Sequence, residues 1–323
     1  PVSHCSAACS LASTFVGSGI FRYLLSESHW CSIECHSILK EAFKGSYMQE
    51  FSDRVAVITG AASGIGLGMA RAFAARGMNL VLADLDETAL ARTVSEFSDA
   101  GIRAVGRRCD VSKLDEVEAL ADKAIKTFGN IHVACNNAGV GIPTSARRMK
   151  LADWKWIIDV DLWGPIYGVK VFLPLIEAAG EGHINATSSM AGLISSQMMG
   201  AYNVAKHGVV ALMAATEREL RSKKSPITAS VLCPDPINTD ISRNSVGFRP
   251  GKAKPKADSE KAGKMASNIQ AGLEQGMDPN EVGELVALAI AENKFWILTH
   301  PRWAKGVQNQ LDALRDDQTL TRA

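Results

Sequence analysis

The sequence predicts an α/β fold in which a doubly wound parallel sheet forms a single domain. Three observations support this prediction. From residue 54 onward, short apolar runs alternate with longer stretches of helical periodicity, which is typical of a parallel sheet with helices on both faces. The first of these runs, at 55–58, is apolar along its whole length, as expected of a strand buried on both faces. A glycine-rich turn joins the first run to the first helix.

The first strand is predicted at 55–58, a short run of valine, alanine and isoleucine. Helical periodicity then extends over 66–76 and stops at Gly77, since glycine commonly ends a helix. The same reasoning predicts further strands at 79–83, 105–110, 131–135, 182–187 and 228–233. It predicts further helices at 88–100, 114–128, 154–173 and 202–221. Residues 248–264 show weak periodicity, and we expect an irregular stretch there, within a flap over the substrate at about 241–275.

The chain of 323 residues has a formal net charge of +1, so we expect neither nucleic acid nor a membrane as partner. No uninterrupted apolar run reaches the length of a bilayer span. Residues 1–47 differ in character and are predicted to be a leader outside the folded domain, which then spans 48–323. Two Cys-x-x-x-Cys pairs in this leader match no familiar zinc module, and we expect no metal site. Cys109, Cys135 and Cys233 lie in or beside apolar runs, which suits reduced thiols and a cytoplasmic protein.

The glycine-rich turn predicts a dinucleotide site. Gly60, Gly64 and Gly66 follow a strand and open a helix, so that the backbone can approach a pyrophosphate at the helix N-terminus. Asp84 ends the second strand 18 residues after Gly66, where a carboxylate accepts both adenosine ribose hydroxyls and repels a 2′-phosphate. Because the turn also contains no arginine or lysine, NAD is favoured over NADP. Asp110 ends the third strand and is placed to meet the adenine edge.

A tyrosine and a lysine one helical turn apart predict the chemistry. Tyr202 and Lys206 share one face of a predicted helix, and Ser189 lies thirteen residues before the tyrosine. An unperturbed tyrosine has a pKa near ~10, which is too high for an efficient base at neutral pH. We expect the positive charges of Lys206 and of an oxidised nicotinamide to lower that pKa, and Ser189 to stabilise the same oxygen. The combination indicates a tyrosine that exchanges protons beside a bound dinucleotide.

Together these motifs resemble the short-chain dehydrogenase/reductase family. The match comprises the glycine turn at 59–66, the Asn-Asn-Ala-Gly run at 136–139, Ser189 and the Tyr-x-x-x-Lys pair, and it extends from about residue 51 to the C-terminus. The resemblance implies Tyr202 as acid/base, Ser189 as partner of the substrate oxygen and Lys206 as holder of the nicotinamide ribose. With the residues argued above, the predicted cofactor contacts are Gly60, Ser63, Gly64, Ile65, Gly66, Asp84, Asp110, Val111, Asn137, Ala138, Gly139, Tyr202, Lys206, Pro234, Ile237 and Thr239.

Two positions depart from the family's pattern. Asp161 stands where asparagine is usual, and the family's asparagine bonds backbone and a water that leads to the lysine. An ionised aspartate accepts hydrogen bonds and donates none. We expect Asp161 still to hold the water and to strengthen Lys206 electrostatically, so it joins Ser189 and Tyr202 in the predicted catalytic set. Asp235 stands where glycine usually follows the proline, and we expect its carboxylate to alter cofactor affinity.

These residues predict an NAD(H)-dependent oxidoreductase that interconverts a secondary alcohol and a ketone. The pocket is expected to draw on Met190, Leu193, Met198, Met199 and the segment 241–265, whose side chains suit an apolar, ring-bearing small molecule. The resemblance also implies a homodimer or a homotetramer. Two alternatives stay open, namely an NADP-dependent carbonyl reductase and a non-catalytic dinucleotide sensor on the same fold.

Overall fold

The computed structural model describes residues 48–251, 260–300, 302 and 304–316. The predicted leader at 1–47 and residues 252–259 of the predicted flap lie outside these residues, as does the chain beyond 316.

The strands of the described chain form one sheet in the order β3-β2-β1-β4-β5-β6-β7, and each neighbouring pair is parallel. Their bounds are β1 Val55–Thr59, β2 Asn79–Asp84, β3 Ala104–Arg108, β4 Val133–Asn136, β5 Gly182–Thr187, β6 Ile227–Cys233 and β7 Trp296–Leu298. Beside β1 the chain reverses its direction of travel across the sheet, so that β2 and β3 lie on one side and β4 to β7 on the other. The predicted doubly wound sheet is therefore confirmed.

The helices are α1 Gly64–Ala74, α2 Glu87–Asp99, α3 Leu114–Phe128, α4 Leu151–Ile158, α5 Gly164–Ala179, α6 Gly200–Ser222, α7 Ile241–Phe248, α8 Glu260–Glu274, α9 Pro279–Ala291 and α10 Ala304–Asp316. One predicted helix, at 154–173, is interrupted by a π-helical segment at Asp159–Trp163 that separates α4 from α5. The stretch predicted to be irregular at 248–264 is helical from Glu260 onward, where α8 begins.

The side chains of β1 point alternately to the two faces of the sheet, and each face carries its own core. Ala56 and Ile58 belong to a cluster with α1, α2 and α9. Val55 and Val57 belong to a cluster with α3, α5 and α6 on the opposite face. Helices on both faces explain why β1 is buried along its whole length, whereas the edge strand β3 ends in two exposed arginines.

Helices α1 and α9 approach until their backbones touch. A Cβ added at Gly68 would lie 2.0 Å from the carbonyl oxygen of Pro279, and one at Gly283 would lie 2.2 Å from that of Gly68. Only glycine fits at such distances. The close contact fixes α9 against the helix that begins at the glycine-rich turn.

We expect Gly283→Ala to lower the free energy of unfolding by about 1–3 kcal/mol, because the added methyl must push two backbones apart. Denaturant-induced unfolding measures the change. Gly247→Ala is the control, since a Cβ there would meet no described atom within 4 Å and alanine is the better helix former. A loss at Gly283 no larger than that of the control would contradict the close contact.

A continuous helical segment, Leu151–Ala179, contains α4, the π-helical segment and α5. The most apolar 18-residue window of these 29 residues has a mean hydropathy of 1.2, so by length and composition the segment could cross a bilayer. Core helices of globular proteins meet the same criterion. Phe172 and Ile176 of α5 are buried against the sheet, which is the packing of a core helix.

Candidate active site

A cavity of about 1030 Å³ opens at the carboxyl ends of the strands, beside the point where the strand order reverses. Its walls come from residues at or just after successive strand ends, among them Gly60, Asp84, Asn137, Ser188 and Pro234. Of the predicted site residues, those lining it are Gly60, Ser63, Gly64, Ile65, Asp84, Asp110, Val111, Asn137, Ala138, Gly139, Ser189, Tyr202, Lys206, Pro234, Ile237 and Thr239. Gly66 and Asp161 lie buried behind this wall. The structure thus gathers residues from distant parts of the sequence around one space, while their individual roles stay predictions.

The glycine-rich turn has a backbone that other residues would strain. Gly60 and Gly64 have φ angles of 64° and 51°, in the left-handed region. A Cβ at Gly66 would lie 2.0 Å from the carbonyl oxygen of Gly60, so this glycine permits the first turn of α1 to pack on the loop. The turn therefore presents bare backbone to the cavity.

The N-terminus of α1 borders the same cavity and fits an anionic group. Ser63 is the N-cap residue, and the first turn of α1 contains no acidic residue in the described structure. The first N–H groups of a helix have no partner within it, and the helix dipole adds partial positive charge there. Bare backbone and free N–H groups beside a large cavity fit the pyrophosphate of a dinucleotide.

The carboxylate of Asp84 is held at the end of β2 by backbone groups. Its Oδ2 accepts a hydrogen bond from the N–H of Ala62 at 3.0 Å, and its Oδ1 accepts one from the N–H of Asp86 at 3.0 Å. A carboxylate offers about four acceptor positions. Asp84 therefore keeps acceptor capacity on the cavity side while the glycine-rich turn fixes its orientation.

Asn137 ties together three strand ends beneath the cavity. Its Nδ2 donates to the carbonyl oxygen of Thr59 at 3.0 Å, and its Oδ1 accepts from the hydroxyl of Thr187 at 2.9 Å. The Thr59 hydroxyl in turn accepts from the backbone N–H groups of Asn137 and Ala138. Sequence reasoning missed Thr187, although a hydroxyl residue closing an otherwise buried strand was an available signal.

Four side chains form the polar centre of the cavity wall. Lys206 of α6 donates from Nζ to the carbonyl oxygen of Thr187 at 3.1 Å, and Nζ lies 5.5 Å from the ring centre of Tyr202. Ser189, just after β5, borders the same space, and its hydroxyl accepts from the N–H of Ala191 at 3.1 Å. Asp161 completes the group from behind, with its Oδ2 at 3.4 Å from Nζ of Lys206. The helical spacing of Tyr202 and Lys206 thus puts a phenol beside an ammonium.

The pKa of Tyr202 lies above its usual value in this structure. Burial raises it most, the ammonium of Lys206 and a hydrogen bond with Ser189 lower it, and the carboxylate of Asp161 raises it again. The expected lowering by Lys206 is present, but in the protein alone burial of the phenol outweighs it. Burial of the phenol depends on the assembled cavity, which the spacing of Tyr202 and Lys206 does not reveal.

Asp161 is held by the π-helical segment, where the hydrogen-bond register of the helix shifts. Its Oδ1 accepts from the N–H of Val140 at 2.7 Å, and the side chain is 0% exposed. Among the described residues no hydrogen bond reaches its Oδ2. Burial raises the pKa of Asp161, and Lys206 acts against that rise. For Lys206, burial lowers the pKa, but Asp161 and Tyr202 outweigh it, so the ammonium stays charged.

Asp235, the second departure, turns toward the C-terminal part of the chain. Its Oδ2 accepts from the guanidinium of Arg302 at 2.6 Å, and its N–H donates to the hydroxyl of Thr299 at 3.1 Å. Asp235 lines the cavity and its carboxylate is nearly buried. The influence of Asp235 on cofactor affinity stays a prediction, and its carboxylate already has a cationic partner in Arg302.

The substrate end of the cavity is largely apolar. Met190 and Met199 line it as predicted, whereas the described side chains of Leu193 and Met198 do not. Leu193 instead packs against the core beneath α3, α5 and α6. Further lining residues come from α7, α8 and α10, and they include Ile241, Asn244, Phe248, Ile269, Leu273 and Asn309.

The part of the predicted flap at 241–251 is fixed by polar contacts. The hydroxyl of Ser245, in α7, accepts from the N–H of Gly141 at 2.8 Å. Just after α7, Arg249 donates from Nε to Oδ1 of Asp153 at 2.7 Å, and both side chains are 10% exposed. These contacts join α7 to α4 and to the loop after β4, so this wall of the cavity is braced at both ends.

Comparison with known proteins agrees with this geometry. The family model described as short chain dehydrogenase matches residues 54–248. The CLA biosynthesis dehydrogenase/reductase of Lactiplantibacillus plantarum is 30% identical over 84% of this chain and 96% of its own length. The cyclohexanol dehydrogenase of Acinetobacter sp. (strain SE19) is 37% identical over 54% of this chain and 70% of its own.

A crystal structure of a short chain dehydrogenase/reductase from Burkholderia phymatum in complex with NAD has the same architecture. It superimposes with a TM-score of 0.82 at 38% sequence identity, over 85% of this chain and 99% of that one. This chain therefore belongs to the short-chain dehydrogenase/reductase family and is an oxidoreductase with a nicotinamide dinucleotide cofactor.

Proposed function

We propose that this protein is an NAD(H)-dependent dehydrogenase that interconverts an apolar secondary alcohol and its ketone. The observation that carries the proposal is the meeting of Tyr202, Ser189 and Lys206 on the wall of a cavity that also contains a cradle for a dinucleotide. The cyclohexanol dehydrogenase similarity and the apolar lining at the substrate end support a cyclic or aryl alcohol.

In the proposed reaction, Tyr202 takes the proton of the alcohol hydroxyl or returns a proton to the ketone oxygen. Ser189 orients that oxygen and stabilises the charge that develops on it. Lys206 favours the phenolate of Tyr202 by its charge and is within reach of a ribose at this wall. When bound, the nicotinamide supplies the acceptor or donor of the electron pair at the alcohol carbon. The apolar walls exclude water from the reacting oxygen.

NAD is the proposed cofactor because the carboxylate of Asp84 faces the cavity with acceptor capacity to spare. We expect Asp84→Ser to raise the Kd of NADH by about 10–100-fold, because hydrogen bonds to a charged group are lost. The difference in affinity between NADH and NADPH should also become smaller. Fluorescence titration with both cofactors measures this. Asp86→Ser is the matched control, since Asp86 caps α2 through the N–H of Ala89 and serine also caps well.

A wild-type preference for NADPH would overturn the assignment of NAD and favour the alternative of an NADP-dependent carbonyl reductase. If both cofactors lose affinity equally in Asp84→Ser, the carboxylate does not select between them.

The reaction itself is tested by incubating the protein with NAD⁺ and a panel of cyclic and aryl secondary alcohols, and by following the absorbance of the reduced nicotinamide. Turnover of one or more alcohols is the expected result. Tight NAD⁺ binding without turnover across the panel would favour the alternative of a dinucleotide sensor. A complete tyrosine–lysine pair in the cavity argues for the enzyme.

We further propose a homodimer or homotetramer in the cytoplasm. Trp163 and Val204 are 44% and 52% exposed, and they lie at the start of α5 and on α6, where a second copy would cover them. The free and buried thiols of Cys109, Cys135 and Cys233 suit a reducing compartment.

A further inference from the structure

A buried carboxylate and a buried ammonium stand behind Tyr202. The side chains of Asp161 and Lys206 are 0% and 4% exposed, and their charged atoms are 3.4 Å apart. An asparagine in place of Asp161 would have nearly the same shape but would add no charge. This chain therefore differs from its family's usual pattern by one negative charge at the centre of the site.

Burial raises the pKa of Asp161, and the groups around its carboxylate act against that rise. Burial alone disfavours a charged carboxylate, but an opposite charge at salt-bridge distance and a backbone N–H donor both favour it. The N–H of Val140 at 2.7 Å serves Oδ1, and the ammonium of Lys206 faces Oδ2. The two groups therefore form an ion pair whose charges largely cancel beyond their immediate neighbourhood.

This cancellation acts on the phenol. Nζ of Lys206 lies 5.5 Å from the ring centre of Tyr202, close enough for a lone cation to favour the phenolate. When an anion stands on the far side of the cation, the phenol faces a weak dipole instead of a full charge. The phenolate then loses part of the stabilisation that the lysine would otherwise supply.

We propose that Asp161 is a positioning residue that neutralises Lys206 and thereby keeps Tyr202 protonated at neutral pH. Protonated Tyr202 can donate its proton to the oxygen of a ketone during reduction. The rate of alcohol oxidation, by contrast, increases as rising pH ionises Tyr202. The protonation of Tyr202 depends only on the buried pair, whereas the effect on reaction rates rests on the proposed function.

The titratable groups that bear on this pair come from three elements. Tyr202 and Lys206 belong to α6, and Asp161 belongs to the π-helical segment. Cys233, at the end of β6, faces Lys206, but burial raises the pKa of its thiol to about 12, so it stays neutral. The hydroxyl of Ser189 carries no charge and lowers the pKa of Tyr202 in wild type and variant alike.

The experiment is a pH titration of the tyrosinate absorbance in the full chain without cofactor or substrate. The chain contains four tyrosines, so the signal of Tyr202 must be separated from that of the other three. The wild type is therefore compared with Tyr202→Phe. The variant Asp161→Asn is compared with the double variant Asp161→Asn/Tyr202→Phe. Each difference isolates the signal of Tyr202. We expect its midpoint in the wild type to lie above the ordinary value of about 10, and to fall by about one pH unit or more in Asp161→Asn, a tenfold or greater shift.

Asp159→Asn is the control, because Asp159 lies in the same segment and pairs with Lys155 at 2.6 Å. The side chains that shift the pKa of Tyr202 are those of Lys206, Asp161 and Ser189. The Tyr202 midpoint of Asp159→Asn should remain that of the wild type. An unchanged or raised midpoint in Asp161→Asn would overturn the proposal. Circular dichroism shows whether Asp161→Asn folds. If it does not fold, the wild type alone tests the proposal, and a Tyr202 midpoint below about 10 would overturn it.

The same proteins then separate this inference from the proposed function. A lowered midpoint in Asp161→Asn without turnover of any alcohol would keep the role of Asp161 and reject the reaction. With turnover, the rise of alcohol oxidation with pH should move to lower pH in Asp161→Asn, by the same shift as the spectroscopic midpoint.

Discussion

Tyr202→Phe is expected to lower kcat for alcohol oxidation by about 10²–10⁴-fold, the range over which a positioned acid or base contributes. Phenylalanine keeps the ring that packs beside Gly141 but removes the hydroxyl that exchanges the proton. Tyr202 is one of many predicted cofactor contacts, so the Kd of NAD⁺ should change far less than kcat. Steady-state kinetics and a cofactor titration on one preparation measure both quantities.

Tyr167→Phe is the matched control for this experiment. Tyr167 lies on α5, where its ring packs 5.5 Å from that of Trp163, outside the lining of the cavity. The control should retain the wild-type kcat. A Tyr202→Phe protein that also keeps its rate would show that another group moves the proton.

Lys206→Met is expected to destabilise the fold by about 3–5 kcal/mol at neutral pH, the usual consequence of leaving one member of a buried ion pair unpaired. Methionine matches the length of the lysine stem, so the loss comes from the charge of Asp161 and not from a cavity. Denaturant unfolding gives the value. Adding Asp161→Asn removes the unpaired charge, and the double variant should recover most of the lost stability.

The loss should also depend on pH in a defined direction. Without Lys206, burial holds the folded-state pKa of Asp161 above its unfolded value of about 3.9. The neutral acid is then favoured in the fold, so the deficit vanishes at a pH below that unfolded value and grows as pH rises toward the folded pKa. A deficit in Lys206→Met that is constant with pH, or unaffected by Asp161→Asn, would contradict the ion pair.

The sequence reveals those parts of the site that depend on local patterns. Gly60, Gly64 and Gly66 form a short motif whose backbone requirements are visible in the residues themselves. Tyr202 and Lys206 share a helix face by their spacing alone. Strands β1 and β2 are visible because a parallel sheet buried on both sides favours continuous apolar runs.

Other features depend on contacts that local patterns do not contain. β7 has three residues, too few for any periodicity, and gains its stability by pairing with β6. The π-helical segment shifts the helical register only locally, and hydrophobic periodicity does not resolve such a shift. The raised pKa of Tyr202 follows from burial, which only the assembled cavity determines. The position of α7 depends on the hydrogen bond between Arg249 and Asp153, which are 96 residues apart in the sequence.

The reversal of strand order beside β1 also governs how the protein is made. β1 pairs with β4, and the N–H of Val55 bonds the ring of His132 across 77 positions of sequence. A nascent chain that has left the ribosome only as far as β3 therefore has the glycine-rich turn but not the opposite wall of its site. Such distant parallel pairing is slow to form because the loop entropy is lost before the contacts are gained. The edges of β1 and β4 remain open to wrong partners during that interval, so chaperone protection matters most during synthesis of the first half of the sheet.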